Sequence, residues 1–196
     1  CVDDKLKEEL LELSRYIYDN PELGYEEYKA SAAHAALLEK HGFQVQRGYL
    51  GIETGFRAEY VKGEGATVAY LSEYDALPQV GHGCGHNIMG TLSTGAAIHL
   101  KEHMGDSHGR IVVIGTPAEE TDGAKVKYSK DGAFDDVDAG IAHHIREEGI
   151  LAGKGSGNGF VSKVITIHGK AAHAAFRPEK GVNALSAASL GLQALA

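Results

Sequence analysis

The run Ile111-Val112-Val113-Ile114 constrains the fold more than any other stretch of the chain. Branching at Cβ stiffens these side chains and favours a pleated backbone. Four apolar residues in a row leave no polar face for water, so the run reads as a strand of the buried, parallel-sheet kind. The stretches around it alternate in period. Leu6, Leu10, Leu13 and Ile17 recur at helical spacing, with Asp3 and Asp4 ahead as caps and Pro21 behind as a stop. A second helix fits Tyr25 to Lys40, closed by Gly42. Phe43 to Arg47, Thr54 to Val61 and Ala66 to Leu71 read as strands, parted by turns such as Lys62-Gly63-Glu64-Gly65. Met89 to His103 returns to helix, and after the β-branched run come a helix over Ala124 to Lys130 and a short strand over Ala139 to Ala142. Helices alternating with strands predict an α/β fold.

Gly149, Gly153, Gly155, Gly157 and Gly159 crowd one short segment. Their spacing matches neither nucleotide-binding fingerprint, so the segment reads as a hinge. Beyond it, Phe160 to His168 alternates like a strand, Gly169-Lys170-Ala171-Ala172-His173 makes a turn, and an Ala/Leu-rich helix runs from Gly181 to the last residue. A domain boundary is therefore expected near residue 158, dividing residues 1–157 from residues 158–196. The second piece is too short to bury a core by itself, so it docks on the first or belongs to something longer.

Composition removes several function classes. The 196 residues are 43% hydrophobic and 23% charged, as in ordinary globular proteins. A formal charge of -8 with no Lys/Arg block argues against nucleic acid or an anionic membrane as partner. There is no apolar run long enough to cross a bilayer, and the N-terminus lacks the basic-then-apolar order of a signal peptide. A soluble, cytoplasmic protein is expected. Two cysteines, Cys1 and Cys84, cannot build a disulfide framework.

Cys84 has closer company. Gly81 to Asn87 reads GHGCGHN, with the cysteine between His82 and His86, just after Asp75-Ala76-Leu77-Pro78. Thiolate and imidazole two residues apart suit zinc and its neighbours. Glu119-Glu120 and His143-His144 each follow an apolar run as well. In an open α/β sheet, groups that follow strands gather beyond the carboxyl ends. Thiolate, imidazole and carboxylate converging there are enough for one divalent ion fully or two in part. One carboxylate must stay off the metal to take a proton from water.

Five ordered motifs carry a resemblance. They are Asp75-Ala76-Leu77-Pro78, Gly83-Cys84-Gly85-His86, Pro117-Ala118-Glu119-Glu120, Val137-Asp138-Ala139 leading to His144, and Gly169-Lys170-Ala171-Ala172-His173-Ala174-Ala175. Their order resembles that of the aminoacylase and carboxypeptidase family of dinuclear metallopeptidases. Within it, the chain is similar to the amidohydrolase branch of auxin-conjugate, hippurate and aminobenzoyl-glutamate hydrolases and dipeptidase-like enzymes. The resemblance implies a zinc-aminopeptidase-like, three-layer α/β catalytic domain with a mixed, mainly parallel sheet. It also implies the start of a ferredoxin-like lid that serves as the dimerisation domain. It implies that Cys84, His86, Glu120 and His144 bind metal, with His143 the alternative to His144, and that Glu119 is the general base. His173 matches a lid histidine that polarises the scissile carbonyl, often across a homodimer. The implied cofactors are two divalent ions, zinc or manganese, with cobalt possible. The implied substrate is an N-acyl amino acid or small dipeptide-like amide, cleaved by a metal-activated water.

In related branches a metal-binding histidine stands two residues before the aspartate equivalent to Asp75; here Glu73 stands there, so neither Glu73 nor Asp75 is taken as a ligand. The family also supplies a late ligand histidine after the lid, which leads to the expectation that this chain is a piece of a longer enzyme. Rival readings use the same residues. Cys84 could serve as the nucleophile of a cysteine hydrolase, or the chain could be a non-catalytic metal-binding or dimerisation module. His82 reads as a turn residue, and His34, His41, His99, His103, His108 and His168 follow no pattern tied to this chemistry.

Overall fold

A computed structural model describes residues 2–145 and 163–195. The chain divides into two compact units, Cys1–Gly149 and Ile150–Ala196. The glycine hinge and the boundary expected near residue 158 lie outside the described residues.

In the first unit the β-branched run behaves as its chemistry demands. It forms the middle of strand β4 (Gly109–Gly115), which is buried along almost its whole length. Side chains alternate across a strand. Ile111 and Val113 therefore enter one core with Leu6, Leu13, Ile17, Leu38, Phe56 and Ile98, while Val112 and Ile114 enter a second with Tyr49, Ile52, Ala124 and Tyr128. The first core is built by helices α1 (Asp4–Asp19), α2 (Tyr28–Lys40) and α3 (His86–Glu102), and the second by α4 (Ala124–Lys130) and the loops beside it. Helices on both faces of one sheet make three layers.

The sheet runs in the order β1 (Gln44–Arg47), β2 (Phe56–Lys62), β4, β3 (Thr67–Ser72), β5 (Ala139–Ile141). It is mixed: β1 with β2 and β2 with β4 are antiparallel, whereas β3 pairs parallel with both β4 and β5. Ser72 lies opposite Gly115, so β3 and β4 end level. Thr116 continues the contact, donating its N–H to Ser72 O at 2.8 Å.

Several element ends differ from the sequence expectation for local reasons. Asp3 caps α1 by accepting from Leu6 N at 2.8 Å, as predicted. Helix α2 starts at Tyr28 and not Tyr25, because Tyr25 has φ 65°, a left-handed conformation no helix contains. Helix α3 starts earlier than Met89, because Gly85 at φ 73° turns the chain directly into His86. Thr54 is outside β2, with its hydroxyl on Glu27 and its carbonyl accepting from Tyr74.

In the second unit α5 (Ala184–Leu195) forms, three residues later than expected from Gly181, because Val182 is engaged in an isolated antiparallel bridge with Lys170. The strand expected over residues 160–168 begins outside the described residues, and residues 163–168 pair with no strand among those described. A strand without a neighbour has no ladder to hold it. Among the described residues, no helix is long and apolar enough to cross a membrane.

Candidate metal centre

The parallel half of the sheet assembles the site. Because β3 and β4 end level, the segments that follow them leave side by side: Glu73-Tyr74-Asp75 from β3, and Thr116-Pro117-Ala118-Glu119-Glu120 from β4. Strand β5 runs parallel to β3 and delivers His143 and His144 to the same edge. After Asp75 the chain makes a tight turn, closed by the Leu77–Gly81 bridge, and re-enters as α3 with His86 as its first residue.

His86 is the centre of the cluster and is fully buried. Its Nδ1 lies 3.0 Å from both Asp75 Oδ1 and Asp75 O, two acceptors, so Nδ1 carries the hydrogen. In a neutral ring that leaves the lone pair on Nε2. This nitrogen is buried and has no hydrogen-bond partner. Three carboxylates stand around it just beyond hydrogen-bonding range: Glu73 Oε2 at 3.5 Å, Glu119 Oε2 at 3.6 Å and Glu120 Oε1 at 3.8 Å. Glu73, His86 and Glu119 each offer a donor atom within 4.8 Å of the others. Converging negative oxygens around a lone pair are costly to bury alone and suit a cation.

The titration behaviour follows from this crowding. Burial disfavours the His86 imidazolium, but the Asp75 hydrogen bond and the fields of Asp75 and Glu73 outweigh it and raise the pKa. Glu119 is raised by burial and by neighbouring Glu73 and Glu120. Asp75 is held below the usual carboxylate range despite its burial, because His86 and the Glu120 backbone N–H, at 2.9 Å, bond to its oxygens. Cys84 is pushed up to about 11 by its hydrogen bond to Glu120, with burial and the carboxylates adding to it. A thiol so placed stays protonated at neutral pH unless a cation offsets the field.

The histidine pair divides at the edge of β5. His144 turns its ring edge-on to His86, with centroids 6.3 Å apart. His143 turns instead to Ser93 Oγ, 3.2 Å from its Nδ1. His82 stacks on Tyr18 with centroids 6.5 Å apart. His173 belongs to the second unit, where it is exposed and its Nδ1 accepts from Ala175 N at 3.2 Å.

Several residues that support the cluster carry no sequence pattern. Glu27 is completely buried and accepts from the Ala118 N–H at 2.8 Å and from Thr54 Oγ1 at 3.0 Å. That bond holds Ala118 at φ 61°, a strained value for a non-glycine residue, directly before the Glu119-Glu120 pair. Glu73 is ion-paired to Lys125 of α4. Its side chain sits beside His86 although its only sequence signal is the carboxylate two residues before Asp75.

Comparison with known proteins agrees in kind. A family model described as peptidase family M20/M25/M40 matches residues 69–193. The chain is 37% identical over 201 residues to Xaa-Arg dipeptidase of Mus musculus, covering 95% of this chain and 46% of that protein. It is 34% identical over 202 residues to an IAA-amino acid hydrolase of Arabidopsis thaliana, covering 90% and 44%. The chain thus spans about half the length of the curated relatives it matches. Among solved structures it is similar to the YXEP protein of Bacillus subtilis, described as a dinuclear metal-binding peptidase. The TM-score there is 0.66 at 26% identity, over 74% of this chain and 44% of that one.

Proposed function

The chain belongs to peptidase family M20/M25/M40, and on that premise we propose that it carries the metal-binding machinery of a hydrolase that cleaves an amide bond in an N-acyl amino acid or small dipeptide-like substrate. The observation that carries this reading is His86 Nε2, buried and unpartnered, with three carboxylates at 3.5–3.8 Å. The named activities of the relatives, a dipeptidase and an IAA-amino acid hydrolase, support the substrate class.

Glu73, His86 and Glu119 bring donor atoms within 4.8 Å of one another, which supports a divalent-ion site, and we assign two ions to it. Cys84, His86, Glu120 and His144 would hold them, with Glu73 beside His86 as a further donor. Thiolate favours zinc, while imidazole and carboxylate also accept manganese or cobalt. Such ions, when bound, supply Lewis acidity and lower the pKa of a water. The chain's own residues do the rest. Asp75 fixes the His86 tautomer through Nδ1 and braces the backbone of Glu120. Glu119, with its raised pKa, takes the proton of the attacking water and returns it to the departing amine nitrogen. Glu27 holds the Ala118 amide and so the direction in which the Glu pair leaves β4. His173 donates a hydrogen bond to the developing oxyanion. Residues 158–196 are assigned to a lid through which two chains pair, residues 1–157 to the catalytic domain, and the compartment to the cytoplasm.

The cysteine-hydrolase reading is disfavoured by Cys84 itself, whose thiol is pushed up to about 11 by acidic neighbours where a nucleophile needs a lowered value. Exhaustive chelation followed by turnover of acyl-amino acids and dipeptides tests the choice. Turnover is expected only when divalent ion is restored. Activity that survives chelation and is lost on thiol alkylation would overturn the metal reading.

A further inference from the structure

The far end of α3 gathers a second cluster. His99, Glu102 and His103 each offer a ligand atom, and these atoms lie within 4.8 Å of one another. His99 and His103 are one helical turn apart on the same face, with ring centroids 4.0 Å apart. His99 lies 13 residues beyond His86, roughly 20 Å along a helix that rises 1.5 Å per residue, so these residues share nothing with the centre at the first turn.

Three details make the cluster more than a crowded helix end. His103 Nδ1 lies 2.8 Å from His99 O, an acceptor, so Nδ1 bears the hydrogen and Nε2 keeps the lone pair a metal requires. His99 Nδ1 is buried and has no hydrogen-bond partner. At the end of α2, His41 bonds through Nε2 to Glu9 Oε2 at 2.6 Å, while its Nδ1 stands 3.9 Å from Glu102 Oε1. Glu9 is also paired with Lys40 at 2.9 Å. Lys101, between the histidines in sequence, lays its ammonium over the Tyr60 ring, 5.0 Å from the centroid. The carbonyls at a helix C-terminus add partial negative charge, which favours a cation.

We propose that His99, Glu102 and His103 form a second, non-catalytic site for a borderline divalent transition ion of the zinc class, at the C-terminal end of α3. Two imidazoles and one carboxylate are a zinc-type donor set. Glu9 orients His41, which stands outside this group of three with its Nδ1 3.9 Å from Glu102 Oε1.

Equilibrium dialysis against buffered free zinc, followed by metal analysis, tests this directly. The wild-type chain is expected to bind about one zinc more per chain than the His99→Ala, His103→Ala double variant, whatever the occupancy of the centre around His86. In the wild type, zinc is expected to move the ring-nitrogen resonances of His99 and His103. Glu102→Gln, a milder change at an exposed position, is expected to weaken the extra site without unfolding the chain and serves if the double variant fails to fold. Equal zinc content in wild type and variants, or ring resonances that do not move with zinc, would overturn the proposal.

Discussion

His34 and His86 are both completely buried, and each keeps an Nε2 without a hydrogen-bond partner. They differ in what surrounds that nitrogen. His34 sits between the rings of Tyr74, at 5.5 Å, and Phe56, at 6.2 Å, and its hydrogen bond among the described residues is to Thr94 Oγ1, 2.9 Å from Nδ1. Desolvation acts there alone and pushes the pKa down to about 3. His86 is equally buried, yet Asp75 and Glu73 drive its pKa the other way. An orphan nitrogen therefore does not by itself favour a cation. The carboxylates make the difference, and Gly90 is the thin wall between the two pockets: a Cβ there would meet Glu73 O at 2.4 Å, and His34 Nε2 and Ser72 Oγ at 2.9 Å.

The contrast can be attacked from the acidic pocket first. Glu119→Gln is expected to lower kcat by about 10²- to 10⁴-fold while metal content stays unchanged. Steady-state kinetics beside metal analysis checks both halves, and retained turnover would remove Glu119 from the role of base. Asp75→Asn leaves the charge count near His86 one lower and loosens its ring, so metal affinity is expected to fall about 10- to 100-fold. Competition against a chromophoric chelator reads that change. An undiminished affinity would show that Asp75 does not orient the ring.

Gly90→Ala attacks the wall and burdens both pockets together. The added methyl meets backbone as well as side chain, and the expected cost is about 1–3 kcal/mol in urea unfolding, with weaker metal binding as a second effect. At neutral pH the smallest effect belongs to the apolar pocket, where it emerges only as pH falls. His34 stays neutral in the folded chain but gains a proton when unfolded at pH below about 6.5. Its contribution is complete above that value and falls as pH drops toward about 3, by up to about 1.4 kcal/mol per pH unit. His86 in the metal-free chain has the opposite sign: its contribution is present at low pH and is lost as pH rises through its raised folded value. His34→Leu is therefore expected to flatten the acid limb of a stability–pH curve, and an unchanged limb would refute the assignment.

How much of this could be read from the residues alone follows from the range of each interaction. The β-branched run, the boundaries of α4 and the clusters at 84–86, 119–120 and 143–144 are local, and local pattern carries them. Glu27 reaches Ala118 across 91 positions, a contact that leaves no trace near either residue. His143 and His144 part company because Ser93, fifty residues before His143, engages His143, a contact no local pattern announces. The start of α2 escapes local pattern because Tyr25 and Glu27 read as helix formers, while Tyr25 is left-handed and Glu27 is committed to the loop after β4. The histidines at 99 and 103, which follow no pattern tied to the first centre, meet Glu102 on one helix end, and only the structure brings His41 and Glu9 beside them.

The level ends of β3 and β4 have a consequence for quality control. A slip of one residue between them would move Asp75 by about 3.3 Å and turn alternate side chains to the opposite face. A slipped chain could then keep much of its sheet while losing the ring of acids around His86. An ion that binds only the aligned register stabilises it selectively, by about 2.7 kcal/mol at a hundredfold excess over Kd. Loading the centre around His86 with metal would thus act as a proofreading step on strand alignment, and the fraction of chains that retain metal at that centre after refolding would count those that paired correctly.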